Sequence, residues 1–567
     1  MLLSYCRLIV VCVVLSVVIS APLPGVQRTH GDHHPFCKLC RRFAEKVVDT
    51  IQSKKAYADI RNDTIRLCTE AMDVDGLKGH VICPGLMDTY IPPILYIVSE
   101  ALFSPNEICQ KLDFCPPTNE HQGHVNNQLN HMITDISDAA QRHDNTQHGK
   151  LDHQQPIRIL QLTDIHLDHQ YKSGTPVDCG LFICCQEGMN GSGRAGQYGD
   201  YKCDLPIATL NLLTNHLKQL NPQPDFIVYT GDNPPHDIWE ESWQSQTNST
   251  NFLVKYLSTK LPNQTIYPAM GNHETFPESF YYPPRYRNLT DALAEFWQRW
   301  VELPENALQT IRAGGFYTML IRPGLRLMSI NTDFGYRLNF YTLLNDQTPE
   351  FFNQQKWMEE TLAMAAEKGE KVIIIGHIPP GIADTIKSYG DFYVPVVAKY
   401  RDIIVGQLFG HTHEDQFEVV HVNSKPAGVV NVAPSVTPRT DINPSYRIYL
   451  MDPTTFRLID YEQYHINLTE VNLLAEQNRI DEIKWKLAYT AREEYDLPDF
   501  TPNSWWNLTE RFQHNSSLLF QYWNNKFARS DVHRHCGWLC KQDLICLTQS
   551  ASKTQYNECL FMFDTSL

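Results

Sequence analysis

Five apolar runs in the middle of the chain each end in polar side chains of a type that binds metals. The runs and the residues after them are 159–162 before Asp164 and His166, 226–230 before Asp232, 266–270 before Asn272 and His273, 372–375 before His377, and 403–409 before His411 and His413. Apolar runs of this length predict buried β-strands. Glycine directly precedes four of the five polar groups and permits a sharp turn there. The pattern predicts strand ends that aim these side chains at one point.

Helical spacing dominates both flanks of this strand-rich region. Before it, Phe43, Val47 and Ile51 recur at helical intervals, and Pro92-Pro93 precedes an apolar run at 94–102, where a helix start tolerates proline. After it, segments 471–486 and 505–527 have helical patterns, and the acidic stretch 488–502 between them is expected to be a loop. Residues 118–155 are polar and predict a linker.

Composition narrows the class of protein. The chain has 567 residues, 42% of them apolar and 20% charged, which indicates two to four folded domains. Its net charge of −16 argues against binding to nucleic acid. The 23 histidines would offset that charge as the pH falls through about 6.5.

Residues 1–20 predict a secretory signal peptide. Arg7 precedes an apolar run at 8–19, and Ser20-Ala21 offers a cleavage site. The alternative is a membrane anchor, which needs about 20 apolar residues. The run at 8–19 has only 12 residues, so cleavage is favoured. We therefore expect a secreted or lysosomal protein without a transmembrane segment.

Two further features suit an oxidising compartment. Fourteen of the 16 cysteines follow residue 20, an even number that favours disulfides. Glycosylation sequons, expected to be on exposed loops, occur at Asn62, Asn190, Asn248, Asn263, Asn288, Asn467, Asn507 and Asn515.

Six cysteines mark a small module near the amino terminus. They lie at positions 37, 40, 68, 83, 109 and 115, and they allow 15 pairings in principle. Their pattern resembles the saposin B-type domain, which implies an all-α fold with disulfides Cys37–Cys115, Cys40–Cys109 and Cys68–Cys83. Saposin-like helices present an apolar face to lipid. The apolar residues around Tyr90 and Tyr96 fit that role, and they equally fit packing in a core.

The five strand-end motifs, in this order, resemble the calcineurin-like metallophosphoesterase superfamily. The resemblance implies an α/β fold in which two mixed β-sheets pack as a sandwich flanked by helices. It implies two metal ions: Asp164, His166 and His413 bind one, Asn272, His377 and His411 bind the other, and Asp232 lies between them. A donor set rich in imidazole favours zinc, so we expect two Zn²⁺ per chain.

Two histidines are candidates for the acid that protonates the leaving group. His273 occupies the family's usual position for this role. His236 is the second candidate, and the alternative for it is a structural role in its loop.

A closer resemblance, to the acid sphingomyelinase family, covers nearly the whole chain after the signal peptide. The strings at 162–166, 376–381 and 409–413 support it. It implies disulfides Cys179–Cys184, Cys185–Cys203, Cys536–Cys540 and Cys546–Cys559. A further family disulfide, between the segment at Asp333-Phe334 and the loop after Pro380-Gly381, lacks both cysteines here.

The resemblance divides the chain into five parts. They are a signal peptide at 1–20, a saposin B-type domain at 33–117, a linker at 118–155, the catalytic domain at 156–465 and a helical, disulfide-bonded region at 466–567. The implied activity is hydrolysis of sphingomyelin to ceramide and phosphocholine by a metal-activated hydroxide. Trp239, Trp243, Tyr281 and Tyr282 either line a choline pocket or serve only in packing.

These features predict a monomeric enzyme that binds membrane lipid peripherally. Two alternatives remain: a secreted phosphodiesterase of soluble nucleotide diesters, and a non-catalytic lipid-binding protein.

Overall fold

The structure is a computed structural model. It describes residues 57–74, 76–101, 105–111, 155–283, 285–347, 349–532 and 536–565, together with 41, 45 and 115. The predicted signal peptide and almost all of the predicted linker lie outside the described residues.

The first β-sheet joins three parallel strands to three antiparallel ones. Its strand order is β12-β11-β10-β1-β2-β3, with β1, β2 and β3 parallel to one another. The strands are β1 (Ile157–Leu162), β2 (Phe226–Tyr229), β3 (Ile266–Pro268), β10 (Ser445–Met451), β11 (Leu458–His465) and β12 (Lys486–Thr490).

The second β-sheet is also mixed. Its order is β4-β5-β6-β7-β9-β8, in which β5, β6, β7 and β9 run parallel. The strands are β4 (Tyr317–Arg322), β5 (Leu325–Ser329), β6 (Lys371–Ile375), β7 (Ile404–Phe409), β8 (Gln416–Val422) and β9 (Lys425–Val432). The predicted fold class, two mixed sheets flanked by helices, is confirmed.

Alternating side chains of β6 show how the layers pack. Ile373 and Ile375 belong to the main core, which also contains Leu162 and Val228 of the first sheet. Their neighbours on the strand face the opposite way, into a second cluster formed with flanking helices. Both faces of β6 are therefore buried, which explains why its sequence is an unbroken apolar run.

Helices cover the sheets and connect the strands of the catalytic region. They are α4 (Ile207–Leu217), α5 (Trp243–Lys260), α6 (Arg287–Trp297), α7 (Glu305–Gly314), α8 (Pro349–Glu367) and α9 (Lys387–Lys399), after α1 (Tyr57–Val74), α2 (Gly79–Ala101) and α3 (Pro105–Lys111) of the amino-terminal module.

Helix α2 is longer than the sequence predicts. It begins at Gly79 and continues through Pro92 and Pro93, where we expected a helix to start. Each proline removes one backbone hydrogen bond and costs about 3 kcal/mol. The buried residues Tyr90, Ile94 and Ile97 lie on one helical face that spans the prolines, so packing outweighs the local penalty.

The carboxyl-terminal region is mainly helical, as predicted, but it also contains a strand that the sequence did not predict. Residues 486–490 form β12, which pairs antiparallel with β11, and α11 (Ala491–Tyr495) lies inside the stretch expected to be a loop. The open edge of β11 offers backbone hydrogen bonds, and this tertiary pairing makes a strand where the sequence predicted the end of a helix and the start of a loop.

Helices of the carboxyl-terminal region contact β8 of the second sheet. Phe417 of β8 contacts Trp505 and Tyr522, with ring centroids 4.6 and 5.5 Å away. Besides α11, the helices of this region are α10 (Leu468–Glu476), α12 (Pro502–His514), α13 (Ser516–Lys526), α14 (Trp538–Thr548) and α15 (Lys553–Thr565). Among the helices of the described residues, none has the combination of length and apolar character that crossing a membrane requires.

Five predicted disulfides are present. They are Cys68–Cys83, Cys179–Cys184, Cys185–Cys203, Cys536–Cys540 and Cys546–Cys559. Cys109 and Cys115 are also disulfide-bonded. Their predicted partners, Cys40 and Cys37, lie outside the described residues.

Candidate metal centre

The loops after five strands carry the seven predicted ligands to one place. Strands β1, β2 and β3 of the first sheet precede Asp164 and His166, then Asp232, then Asn272. Strands β6 and β7 of the second sheet precede the three ligand histidines after residue 375. The loops bond to each other directly, since the Asp164 amide donates to the Gly231 carbonyl at 3.0 Å.

Five of the seven side chains stand on strained backbone. The φ angles of these non-glycine residues lie in the left-handed region: Asp164 at 49°, His166 at 40°, Asp232 at 63°, His411 at 73° and His413 at 63°. Such a conformation costs about 1–3 kcal/mol per residue and is concentrated at functional sites. Strain repeated at five clustered positions therefore points to a site whose geometry matters more than local stability.

Gly410 allows a close approach between the loops from the two sheets. A Cβ atom at Gly410 would lie 2.0 Å from Thr163 Oγ1 and 2.6 Å from Asp164 Oδ2. The next residue, His411, donates its backbone N–H to the same carboxylate oxygen of Asp164 at 3.0 Å. The glycine therefore serves the contact that brings the β1 and β7 loops together.

The first group of donors surrounds His166. His413 Nε2 lies 3.2 Å from His166 Nε2, and 3.6 Å from Asp164 Oδ1. His166 Nε2 is also 3.7 Å from Asp232 Oδ2. Four donor atoms thus surround one small volume.

The second group of donors meets the first at Asp232. His377 Nε2 lies 3.0 Å from Asp232 Oδ2 and 3.0 Å from Asn272 Oδ1. His411 Nδ1 lies 3.0 Å from the same Asn272 oxygen. Because Asp232 Oδ2 is close to donors of both groups, this carboxylate joins the two groups of donors.

Hydrogen bonds to backbone carbonyls fix the tautomers of three histidines. In each of them Nδ1 faces a carbonyl oxygen, so Nδ1 carries the proton and Nε2 presents a lone pair. The pairs are His166 with Pro234 at 2.7 Å, His377 with Thr230 at 2.7 Å, and His413 with Arg439 at 3.2 Å.

His411 is turned the other way. Its Nδ1 faces the donor group, and its Nε2 lies 3.6 Å from Asp384 Oδ2. Asp384 in turn pairs with Arg337 at 3.1 Å, and the Arg337 amide donates to the Asp384 carbonyl at 2.7 Å. These contacts join the two segments that the absent family disulfide would have linked.

The donor set fits divalent cations. With both Nδ1 atoms protonated, His166 and His413 direct two lone pairs at each other across 3.2 Å, an arrangement that repels unless a cation lies between. Two nitrogen ligands about 2.05 Å from a tetrahedral zinc would be about 3.3 Å apart.

The buried carboxylates support the same interpretation. Burial raises the pKa of Asp164 and of Asp232 to about 7. A bound cation would reverse these shifts by stabilising the ionised form. Four imidazoles, two carboxylates and one amide favour a transition metal such as zinc over magnesium or calcium.

Both candidate acids lie beside the first donor group. The His236 and His273 rings are 4.0 and 4.7 Å from the His166 ring, centroid to centroid, and 4.5 Å from each other. Burial and nearby positive charge lower the pKa of both imidazoles.

Asp204 orients His236 and was not predicted from the sequence. It accepts a hydrogen bond from the His236 backbone N–H at 2.7 Å, and its other oxygen lies 2.8 Å from His236 Nδ1. These two contacts hold the ring toward the metal centre. Asp204 follows Cys203 without any motif, so only the fold reveals it.

Sequence reasoning also missed two glutamates. Glu274 accepts hydrogen bonds from the backbone N–H groups of Gly271, Asp232 and Asn233 at 2.8–3.0 Å, and so fixes the β2 and β3 loops against each other. Glu278 accepts from Asn272 Nδ2 at 2.7 Å. Glu274 lies in the third strand-end motif, directly after Asn272 and His273, although the sequence analysis assigned it no role, whereas nothing in the spacing of Glu278 distinguishes it from an ordinary surface glutamate.

The four aromatic residues proposed for a choline pocket are mainly packing residues. Tyr281, Tyr282 and Trp239 are buried, and Tyr282 stacks on Tyr341 with centroids 5.0 Å apart. Trp243 is half-buried in the first turn of α5.

The sequons lie mostly on the surface. Asn467 is half-buried, where it caps α10 and donates to Asp531. The other seven asparagines are exposed: Asn62, Asn190, Asn248, Asn263, Asn288, Asn507 and Asn515. Their exposure is compatible with the predicted glycosylation.

Two family models match the chain. The calcineurin-like phosphoesterase model matches residues 157–415, and the model of the acid sphingomyelin phosphodiesterase C-terminal region matches residues 421–564. Together they span both sheets and the carboxyl-terminal helices.

Three relatives illustrate the similarity. Sphingomyelin phosphodiesterase A of Dictyostelium discoideum is 32% identical over 550 residues, which cover 94% of this chain and 92% of the relative. Sphingomyelin phosphodiesterase of Bos taurus is 38% identical, over a match that covers 93% of this chain and 84% of the relative. A cyclic GMP-AMP phosphodiesterase of Homo sapiens is 32% identical, over a match that covers 70% of this chain and 89% of the relative.

Proposed function

The chain belongs to the acid sphingomyelin phosphodiesterase family and is a phosphoric diester hydrolase, and from this premise we propose its substrate and metals. It hydrolyses sphingomyelin to ceramide and phosphocholine, with two zinc ions in the site built from residues 164–413. The alternative of a non-catalytic lipid-binding protein does not agree with a complete donor set.

One observation supports the proposal above the others. All seven predicted ligands come from five different strand ends and lie within a few ångströms of each other, with Asp232 Oδ2 shared by both donor groups. The substrate is proposed from the relatives named sphingomyelin phosphodiesterase, which match nearly the full chain.

The chemistry divides between metals and side chains. Two divalent cations, when bound, would neutralise the phosphodiester and activate water as the nucleophile. Asp164, His166, Asp232 and His413 would hold the first cation, and Asn272, His377 and His411 would complete the second with Asp232. These seven residues therefore fix where the phosphorus must lie.

The leaving alkoxide needs a proton. His273 and His236 flank the first donor group and are the residues we propose to supply it. Asp204 holds His236 at the site, so it acts on the reaction through that histidine.

The setting of the reaction is also part of the proposal. We propose that the amino-terminal helical module brings the enzyme to lipid, and that the protein is secreted or lysosomal, glycosylated and monomeric. The signal-like segment, the disulfides and the exposed sequons support the secreted or lysosomal location and the glycosylation.

A soluble nucleotide diester is the second candidate substrate. The human relative named cyclic GMP-AMP phosphodiesterase favours it, because its similarity extends over 89% of that protein.

The test offers the purified protein sphingomyelin in vesicles, phosphatidylcholine in vesicles and a cyclic dinucleotide at pH 5 and pH 7. Each substrate is assayed before chelation, after chelation and after zinc is restored. The proposal predicts release of phosphocholine from sphingomyelin that stops on chelation and returns with zinc. Turnover of the dinucleotide alone would establish the second candidate instead.

A further inference from the structure

Glu278 lies directly behind the metal centre. It is 5% exposed, and its Oε1 accepts hydrogen bonds from Asn272 Nδ2 at 2.7 Å and from the Ser279 hydroxyl. The same oxygen lies 3.6 Å from His273 Nε2. One carboxylate therefore contacts a proposed ligand and approaches a proposed acid.

The contact with Asn272 decides which end of the amide faces the metals. A side-chain amide has an oxygen that can bind a cation and an NH₂ group that cannot. Because Glu278 takes the NH₂ group, Asn272 Oδ1 points toward His377 and His411, 3.0 Å from each. Partners of this type orient metal ligands, and their loss typically weakens metal binding 10–100-fold.

The other side of Glu278 contacts the amino-terminal module. The hydroxyl of Tyr90 in α2 lies 3.4 Å from Glu278 Oε2, 3.3 Å from the Glu278 carbonyl and 3.5 Å from Glu241 Oε1. Tyr90 is 1% exposed, and its ring packs on Phe280 with centroids 5.3 Å apart. This tyrosine is therefore buried against the catalytic domain instead of facing lipid.

Two more contacts fix the module at this point. A Cβ atom at Gly85 would lie 1.8 Å from the Trp239 carbonyl oxygen, so α2 touches the catalytic domain backbone to backbone. The Arg285 guanidinium lies over the Tyr96 ring, 3.6 Å from its centroid. The position of Tyr90 over Glu278 is thus set by a packed interface.

We propose that Glu278 is a positioning residue that couples the amino-terminal module to the metal centre. Tyr90 holds the Glu278 carboxylate, and Glu278 holds Asn272 with its oxygen toward the second ion. The module then contributes to metal binding and to the chemical step, and not only to lipid contact. The proposal rests on the metal centre of the proposed function, but not on the identity of the substrate.

The test uses the full chain with Glu278→Gln, Tyr90→Phe and the double substitution. Zinc affinity is measured by competition with a fluorescent chelator, and kcat is measured on bis(4-nitrophenyl) phosphate, a soluble diester that needs no lipid contact. Glu278→Gln should weaken zinc binding about 10–100-fold and lower kcat. Tyr90→Phe removes one long hydrogen bond and should weaken zinc binding about threefold.

Tyr256→Phe is the matched control, because it removes a hydroxyl that donates to Asn211 at 2.7 Å between α4 and α5. It should leave zinc affinity and kcat unchanged. The double variant should equal Glu278→Gln, since Tyr90 acts through that residue. The urea midpoint of each variant shows whether a loss of zinc binding comes with a loss of folding stability. If Glu278→Gln does not fold, Tyr90→Phe alone still tests the proposal.

A Tyr90→Phe enzyme with the zinc affinity and soluble-diester kcat of Tyr256→Phe would overturn the proposal. The proposal would also be overturned if the fold-loss of zinc affinity in the double variant equalled the product of the fold-losses in the two single variants. Failure of the wild type to cleave sphingomyelin would refute the proposed substrate alone, because zinc affinity still reports on the coupling.

Discussion

Replacing Asp204 with asparagine should damage catalysis while sparing the fold. Asp204 receives two hydrogen bonds from His236, at 2.7 Å from its backbone N–H and at 2.8 Å from Nδ1. Asparagine has one acceptor oxygen, so one of these contacts is lost. A hydrogen bond to a charged group is worth about 1.5–3 kcal/mol. If His236 acts in the reaction, kcat should fall about 10- to 150-fold.

The same substitution should raise the stability of the folded protein while it lowers kcat. Burial raises the pKa of Asp204 to about 7, well above its value of 3.8 in the unfolded chain. Between about pH 4 and pH 7 the unfolded chain releases this proton while the folded protein keeps it, so the unfolding free energy falls over that range and levels off above about pH 7. Asparagine does not titrate, so the variant should gain stability relative to the wild type as the pH rises from about 4 to about 7.

The assay pairs kcat on a soluble phosphodiester with urea unfolding of the metal-free protein. Asp200→Asn is the control, because Asp200 lies in the same loop and its carboxylate accepts only from the Lys202 amide among the described residues. An Asp204→Asn enzyme as active as the Asp200→Asn enzyme would refute a role for the Asp204–His236 pair. A fall in activity matched by a fall in stability would refute the separation of the two effects.

Two further predictions concern packing and pH. Gly410→Ala should cost about 1–3 kcal/mol of stability and weaken zinc binding, because its methyl group would overlap Thr163 Oγ1, 2.0 Å away. Urea unfolding measures the stability and elemental analysis measures the bound zinc. A variant that is as stable as the wild type and fully loaded with zinc would contradict this prediction. Burial lowers the pKa of His465, whose Nδ1 lies 2.7 Å from the Ala528 carbonyl, so this group destabilises the fold as the pH falls below about 6.5. His465→Asn keeps the donor and should flatten the fall in unfolding free energy between pH 7 and pH 5, by at most about 1.4 kcal/mol per pH unit, whereas an unchanged slope would count against this reasoning.

The metal donors were predictable because their signal is local. Each follows an apolar run that the core buries on both faces, as the residues of β6 illustrate, and each comes at the point where the strand ends. Parallel strands present their carboxyl ends at one edge of a sheet, so strand order alone brings Asp164 near Asp232. The five disulfides seen here were predicted from the family resemblance, and each joins cysteines no more than 18 residues apart.

The supporting residues were not predictable, because their partners are distant in sequence. Asp204 meets His236 across 32 positions, and Tyr90 meets Glu278 across 188. No periodicity encodes such contacts. Strand β12 was missed for the same reason, since its pairing with β11 depends on an open sheet edge and not on its own sequence pattern.

Anomalous diffraction at the zinc edge, from crystals of the full chain grown with zinc, tests the central claim most directly. The account predicts two peaks. One should lie among Asp164, His166, Asp232 and His413, and the other among Asp232, Asn272, His377 and His411. A single peak, or zinc bound away from Asp232, would contradict the claim that these seven side chains form a two-metal centre.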